Sequence, residues 1–267
     1  MSIDLERELG KFKDDLAQAE LAKLGITWSK AWRKLHGSLP IVTAPPVNAE
    51  TTQKTKDLLA GAILEYKRGP LTPELVTSTW QTAWKVWGDS VEHTFDVPYC
   101  DRTSEELAAL KSEGRGVVLT PDEIYTPEGL ILLGRIFPRM RSWSTEAGTT
   151  VTNEVSNGGS IDIEMSVDAP YRTAQGYTEQ ELIDKIASDA RQGQRLATYI
   201  VGSQFSKLLT GKYFDQGDTW SRLPGSRGGD GVLGAYFYSD GYLSVRFWRR
   251  EFQFPDLGGR SEGVKKA

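Results

Sequence analysis

The segment VLGAYFYSDGYLSVRFWRR (Val232–Arg250) constrains the fold most. Two runs of β-branched and aromatic residues flank Asp240-Gly241. Asp-Gly suits a two-residue type I′ turn, whose central residues both need positive φ. The pattern predicts a C-terminal β-hairpin in which Tyr238 faces Leu243, Tyr236 faces Val245 and Gly234 faces Phe247. These pairs share the more apolar face. The other face, with Phe237, Ser244, Ala235 and Arg246, is expected to be half exposed.

Up to about Met140 the periodicity is helical. Leu5, Leu9, Phe12 and Leu16 form an apolar stripe on an amphipathic helix over residues 3–24. Such a helix either docks on its own domain or supports self-association. Three prolines then break structure in LPIVTAPPVNAE (Leu39–Glu50). A helix from about Asn48 to Lys67 stops at Gly69-Pro70, and the next opens with Thr72 as cap and Pro73 in its first turn. The latter carries Trp80, Trp84 and Trp87 on one stripe, expected to be core rather than a stacking platform. Thr103 and Glu106 have capping-box spacing, GRGVVLTP reads as a short strand, and Thr126 caps a helix closed by Pro138.

Beyond Met140 the chain reads as β-structure with two helices. TTVTNEVSNGGSIDIEMSVDAP gives a strand, an Asn-Gly-Gly turn and a strand. A capping box at Thr178 and Glu181 opens one helix, and a second runs from near Arg195 to Leu209, stopped by Gly211. The expected fold class is α+β: a helical N-terminal half followed by an antiparallel sheet packed with two helices and a C-terminal β-hairpin. The organisation is an N-terminal helical segment and proline-rich linker (1–47), a helical region (48–140) and an α+β region (141–267). The last two are compatible with one continuous domain.

Several function classes fall away. Net charge is −4, so no global basic field collects nucleic acid, and nucleic-acid binding through Arg246, Arg249, Arg250 and the tail is the weakest reading. No apolar run reaches the roughly 18 residues of a membrane span. The N-terminus lacks the apolar core of a secretory signal. Cys100 is the single cysteine and cannot form an internal disulfide, which fits a reducing cytoplasm. His36 and His93 lie far apart, and no Cys/His spacing suits zinc. No cofactor is indicated.

Two sets of residues remain as candidate chemistry. Gly229, Gly231 and Gly234 match G-x-G-x-x-G, but a strand follows rather than the helix that would receive a pyrophosphate. No P-loop or kinase-type partner motif is present. The surviving candidate is an anion nest at Gly228, Gly229 and Asp230 with Arg227 as a bidentate donor. A purely conformational use of these glycines at the hairpin entry is the expected one. In SIDIEMSVDAPYR, Asp162 and Glu164 share one face of a strand, with Asp168 at its end. Three carboxylates can serve as acid and base or hold Mg²⁺, whereas alternation alone puts charges on the wet face of an edge strand. The tail DLGGRSEGVKKA is expected to fray, the alternatives being that it folds over the hairpin loop or contacts a partner.

GSQFSKLLTG, TWSRLPGSRGGD and DLGGRSEGVKK resemble segments of uncharacterised actinobacterial proteins, over roughly residues 115–267. The resemblance implies a recurring C-terminal unit and carries over no catalytic residue and no ligand. The sequence therefore supports first a soluble cytoplasmic binding or assembly protein. The alternative is an enzyme on a small anionic ligand that uses Asp162, Glu164 and Asp168 with the Arg227 loop.

Overall fold

Helix ends are set locally. The computed structural model describes residues 49–137, 151–153, 155–216, 219–228, 231–238 and 240–264. These belong to a unit spanning Val47–Ala267. The N-terminal stripe, its helix and the proline-rich linker lie outside the described residues. Helix α1 (Ala49–Arg68) stops where the Gly69 N–H donates to Glu65 O. Thr72 caps α2 (Pro73–Asp89) by accepting from the Leu75 N–H at 3.2 Å. Capping boxes open α3 (Ser104–Ser112) at Thr103/Glu106 and α5 (Glu179–Ser188) at Thr178/Glu181, and Thr126 caps α4 (Pro127–Ile136). Helix α6 (Leu196–Thr210) ends at Gly211, which has φ +82°.

Among the described residues, nine strands form two sheets: β1 Arg115–Thr120, β2 Val151–Asn153, β3 Gly159–Glu164, β4 Gln192–Gly193, β5 Trp220–Gly228, β6 Gly231–Phe237, β7 Leu243–Trp248, β8 Leu257–Gly259 and β9 Ser261–Val264. The first sheet has the order β1-β3-β9-β4 and is antiparallel throughout. The second has the order β2-β5-β6-β7, with β8 added parallel to β5. The class is α+β. Strand β1 comes from the helical region and pairs with β3, so one sheet draws on both regions.

Helix α6 is apolar almost all round, with Ala197, Tyr199, Ile200, Val201 and Phe205 buried, as befits a central helix. It touches β1 of the first sheet and β5 of the second. The indoles of α2 close the first sheet. Trp80 and Trp84 are buried, and their Nε1–H groups donate to Val117 O (2.9 Å) and Leu119 O (2.7 Å) of the edge strand β1. An edge with its carbonyls occupied cannot recruit another strand. Among the described residues no helix is long and apolar enough to cross a membrane.

Four expectations change. The hairpin register is shifted by one: Phe237 pairs Leu243, Ala235 pairs Val245 and Tyr236 pairs Ser244. The loop lies between Tyr238 and Tyr242, with Gly241 N–H donating to Tyr238 O, Tyr238 N–H to Tyr242 O, and Gly241 at φ +83°. This is the three-residue loop ending in a left-handed glycine, not the two-residue I′ turn. Ala235 and Phe237 are therefore buried, and Tyr236 and Tyr238 turn outward. Next, β2 and β3 form no hairpin, because β2 pairs with β5 and β3 with β1 and β9. Gly158, where the chain leaves one sheet for the other, sits so close to β1 that a Cβ there would lie 2.0 Å from Thr120 O. Third, β3 is an inner strand, so its carboxylates do not face water from an edge. Last, the tail is built in: β8 belongs to one sheet and β9 to the other, and Arg260 and Glu262 are fully buried.

Candidate functional site

Strand β3 sends Ile161 and Ile163 into the core, and alternation places Asp162 and Glu164 on its other face. Arginines from three other segments meet them there. Arg191, just before β4, pairs with the Asp162 carboxylate, reaches Glu164 Oε1 at 3.2 Å and donates to the Asp162 carbonyl at 3.1 Å. Arg102 Nη2 lies 3.4 Å and Arg115 Nη1 3.9 Å from Asp162. Ser261 of β9 donates its hydroxyl to Glu164, accepts from Arg191 and lies 3.3 Å from the Tyr171 hydroxyl. Burial opposes the Arg191 charge, but Glu164 and Asp162 outweigh it and hold the guanidinium above its ordinary pKa. Burial raises the Tyr171 phenol. Three guanidinium groups hold Asp162 and one holds Glu164, and the ensemble binds β3, β4 and β9 to one another.

Asp168 stands apart: it is exposed, and its backbone carbonyl accepts from Ser166 Oγ at 2.8 Å. Among the described residues no group of three His, Cys, Asp or Glu side chains could hold a metal ion. The sequence-predicted anion loop lies on the second sheet. Arg227 pairs with the buried carboxylate of Glu179, the first residue of α5, which also lies 3.5 Å from Arg250 Nε. Gly228 sits under the Phe247 ring, where a Cβ would come within 1.4 Å of Cε1. Gly229 and Asp230 lie outside the described residues. The structure thus brings Asp162 and Glu164 together on one sheet and sets Arg227 and Gly228 on the other.

A different constellation occupies the outer face of the second sheet. Trp220 of β5 and Tyr236 of β6 have ring centroids 4.0 Å apart, and Trp220 and Trp248 of β7 5.0 Å apart. Tyr238 lies 4.5 Å from Tyr236. Phe252 and Phe254 extend the cluster, at 5.9 Å and 5.6 Å from Trp248. Tyr238 is 41% and Phe252 46% exposed, so the cluster reaches solvent. Arg246 stands 5.4 Å above the Trp220 ring, within cation–π range.

Two features fix this surface. Gly234 lies beneath Trp248, where a Cβ would meet Cζ3 at 1.9 Å, so the absent side chain lets the indole lie on the sheet. Arg222 is fully buried and donates to Arg250 O at 3.0 Å and to the Phe252 carbonyl, which pins the turn after β7 against the sheet. Burial lowers its pKa to about 10, still well above neutrality. The sequence held this face in the outward alternation of Tyr236, Ser244, Arg246 and Trp248, which the assumed hairpin register hid. No protein-family model, no curated protein and no solved structure matches the chain.

Proposed function

We propose that the protein is a binding protein that takes a partner on the aromatic face of its second sheet. One observation carries the reading: six aromatic residues, Trp220, Tyr236, Tyr238, Trp248, Phe252 and Phe254, form one cluster that reaches solvent. Tryptophan, tyrosine and arginine are the residues that most often carry interface energy. The Arg222 anchor and the glycine floor reduce the ordering cost of binding. The buried lone thiol of Cys100, kept neutral chiefly by burial, accords with a cytoplasmic setting. Self-association through residues 3–24 is a separate proposal, resting on the apolar stripe alone. The enzyme alternative draws less support, because Arg191 engages both Asp162 and Glu164 and Asp168 lies apart.

A photoreactive amino acid at Tyr238 tests the reading in intact cells. It should yield a discrete protein adduct, and the same probe at Lys85 on the exposed side of α2 should not. Equal labelling from both positions, or an adduct with nucleic acid only, would count against it.

A further inference from the structure

We propose that the partner of the aromatic face is an acidic polypeptide segment, read by Arg246 and Arg249. This rests on the reading of that face as a binding surface. The first argument is charge. Among the described residues, the arginines of the two sheets and their connecting loops lie within 4.0 Å of a carboxylate or, like Arg222, are bound to carbonyls. Arg246 and Arg249 are the exceptions, and both are exposed. Of the nearby acids, Asp240 accepts the Tyr242 N–H through Oδ1. Arg246, over Trp220, and Arg249, the residue after Trp248, match carboxylates interspersed with apolar side chains, since each guanidinium can hold a carboxylate bidentately.

The second argument separates polypeptide from single-stranded nucleic acid. Bases need open ring faces to stack on. Here the rings take up one another's faces and edges: Trp248 stacks on Phe252 at 28° and meets Trp220 at 65° and Phe254 at 79°. One face of Trp248 rests on Gly234, and Arg246 stands over Trp220. The exposed parts of the face are Tyr238, Phe252 and the two arginines, which suit side chains and carboxylates.

The test uses the full chain and two random copolymers, fluorescein-labelled poly(Glu,Tyr) and poly(Lys,Tyr), with labelled oligo(dT) in parallel. Poly(Glu,Tyr) should bind, and added salt should weaken it. The double variant Arg246→Gln/Arg249→Gln should lose about tenfold or more in affinity, from two lost charge-assisted contacts. Both side chains are exposed, so an unchanged melting temperature should accompany the loss. Equal binding of poly(Lys,Tyr), or indifference to the double variant, would overturn the acidic partner. The aromatic reading would survive that result if Trp248→Ala still reduced binding. Preference for oligo(dT), or no binding of poly(Glu,Tyr), would also overturn the inference, and labelling from Tyr238 would then decide the broader reading separately.

Discussion

At the scale of the residue, the buried ion pairs are costly to disturb. Arg260 and Asp215 both have fully buried side chains. Two guanidinium nitrogens face the two carboxylate oxygens, Nε to Oδ2 at 3.1 Å and Nη2 to Oδ1 at 3.2 Å. Thr219 Oγ1 and the Tyr199 hydroxyl donate to the same carboxylate. Arg260 also donates to Val167 O at 2.7 Å and stands 4.2 Å over the Phe214 ring. Such a pair gives little net stability, because desolvation consumes the Coulombic gain, but removing one member strands a charge. Asp215→Ala should therefore cost about 3–5 kcal/mol, measured from urea unfolding midpoints. The double variant Asp215→Ala/Arg260→Met should be less destabilised than the sum of its singles. A cost below about 1 kcal/mol for Asp215→Ala would show that the guanidinium finds other compensation.

At the scale of the element, Trp84 joins α2 to β1 through one N–H···O bond in a dry setting. Trp84→Phe keeps most of the apolar contact but leaves Leu119 O without its donor, at a cost of about 1–3 kcal/mol. Amide exchange in β1 should accelerate along with the drop in the unfolding midpoint; a faster rate in α6 alone would mean that the core, not the edge, had loosened. Gly158→Ala should cost about 1–3 kcal/mol, because its Cβ would strike backbone atoms of Thr120 and Pro121 that have nowhere to move. Element ends were legible in the sequence because caps depend on residues three apart: Thr72, Thr103, Thr126 and Thr178 all cap as their spacing predicts. The hairpin register was not. It turns on one extra loop residue, and both faces of this hairpin carry aromatics, so Tyr236 and Phe237 were equally plausible inward residues. That slip concealed the candidate surface.

At the scale of the whole molecule, the partners of Asp162, Arg195 and Asp215 lie far along the chain, which is why composition and periodicity gave no hint of them. Arg195 pairs with Glu262, 67 residues away, with both side chains at most 1% exposed. A stop codon at Leu257 would remove Arg260, Glu262 and two strands, so the truncated chain should lack the cooperative unfolding transition of the full one. The same deep burial sets the response to alkali. Burial raises Tyr66, Tyr125 and Tyr199 above the ordinary 10.0 and Cys100 above 9.0. Each group stays protonated in the folded state where the unfolded chain has released its proton. Below about pH 9 both states hold these protons and stability is flat on their account; above it, stability falls as pH rises toward the folded values. Arg222 works the other way, since its pKa is lowered to about 10 from 12.5, so between those values rising pH favours the folded state. It is one group against several, and it acts only in the upper part of the range. The melting temperature should therefore hold level up to about pH 9 and drop from there to about pH 11. Absorbance from these three tyrosines should rise together with the loss of circular dichroism, because they ionise only on unfolding. A smooth titration of every tyrosine near the ordinary value, with the dichroism unchanged, would mean that water reaches Tyr66, Tyr125 and Tyr199 in the folded protein.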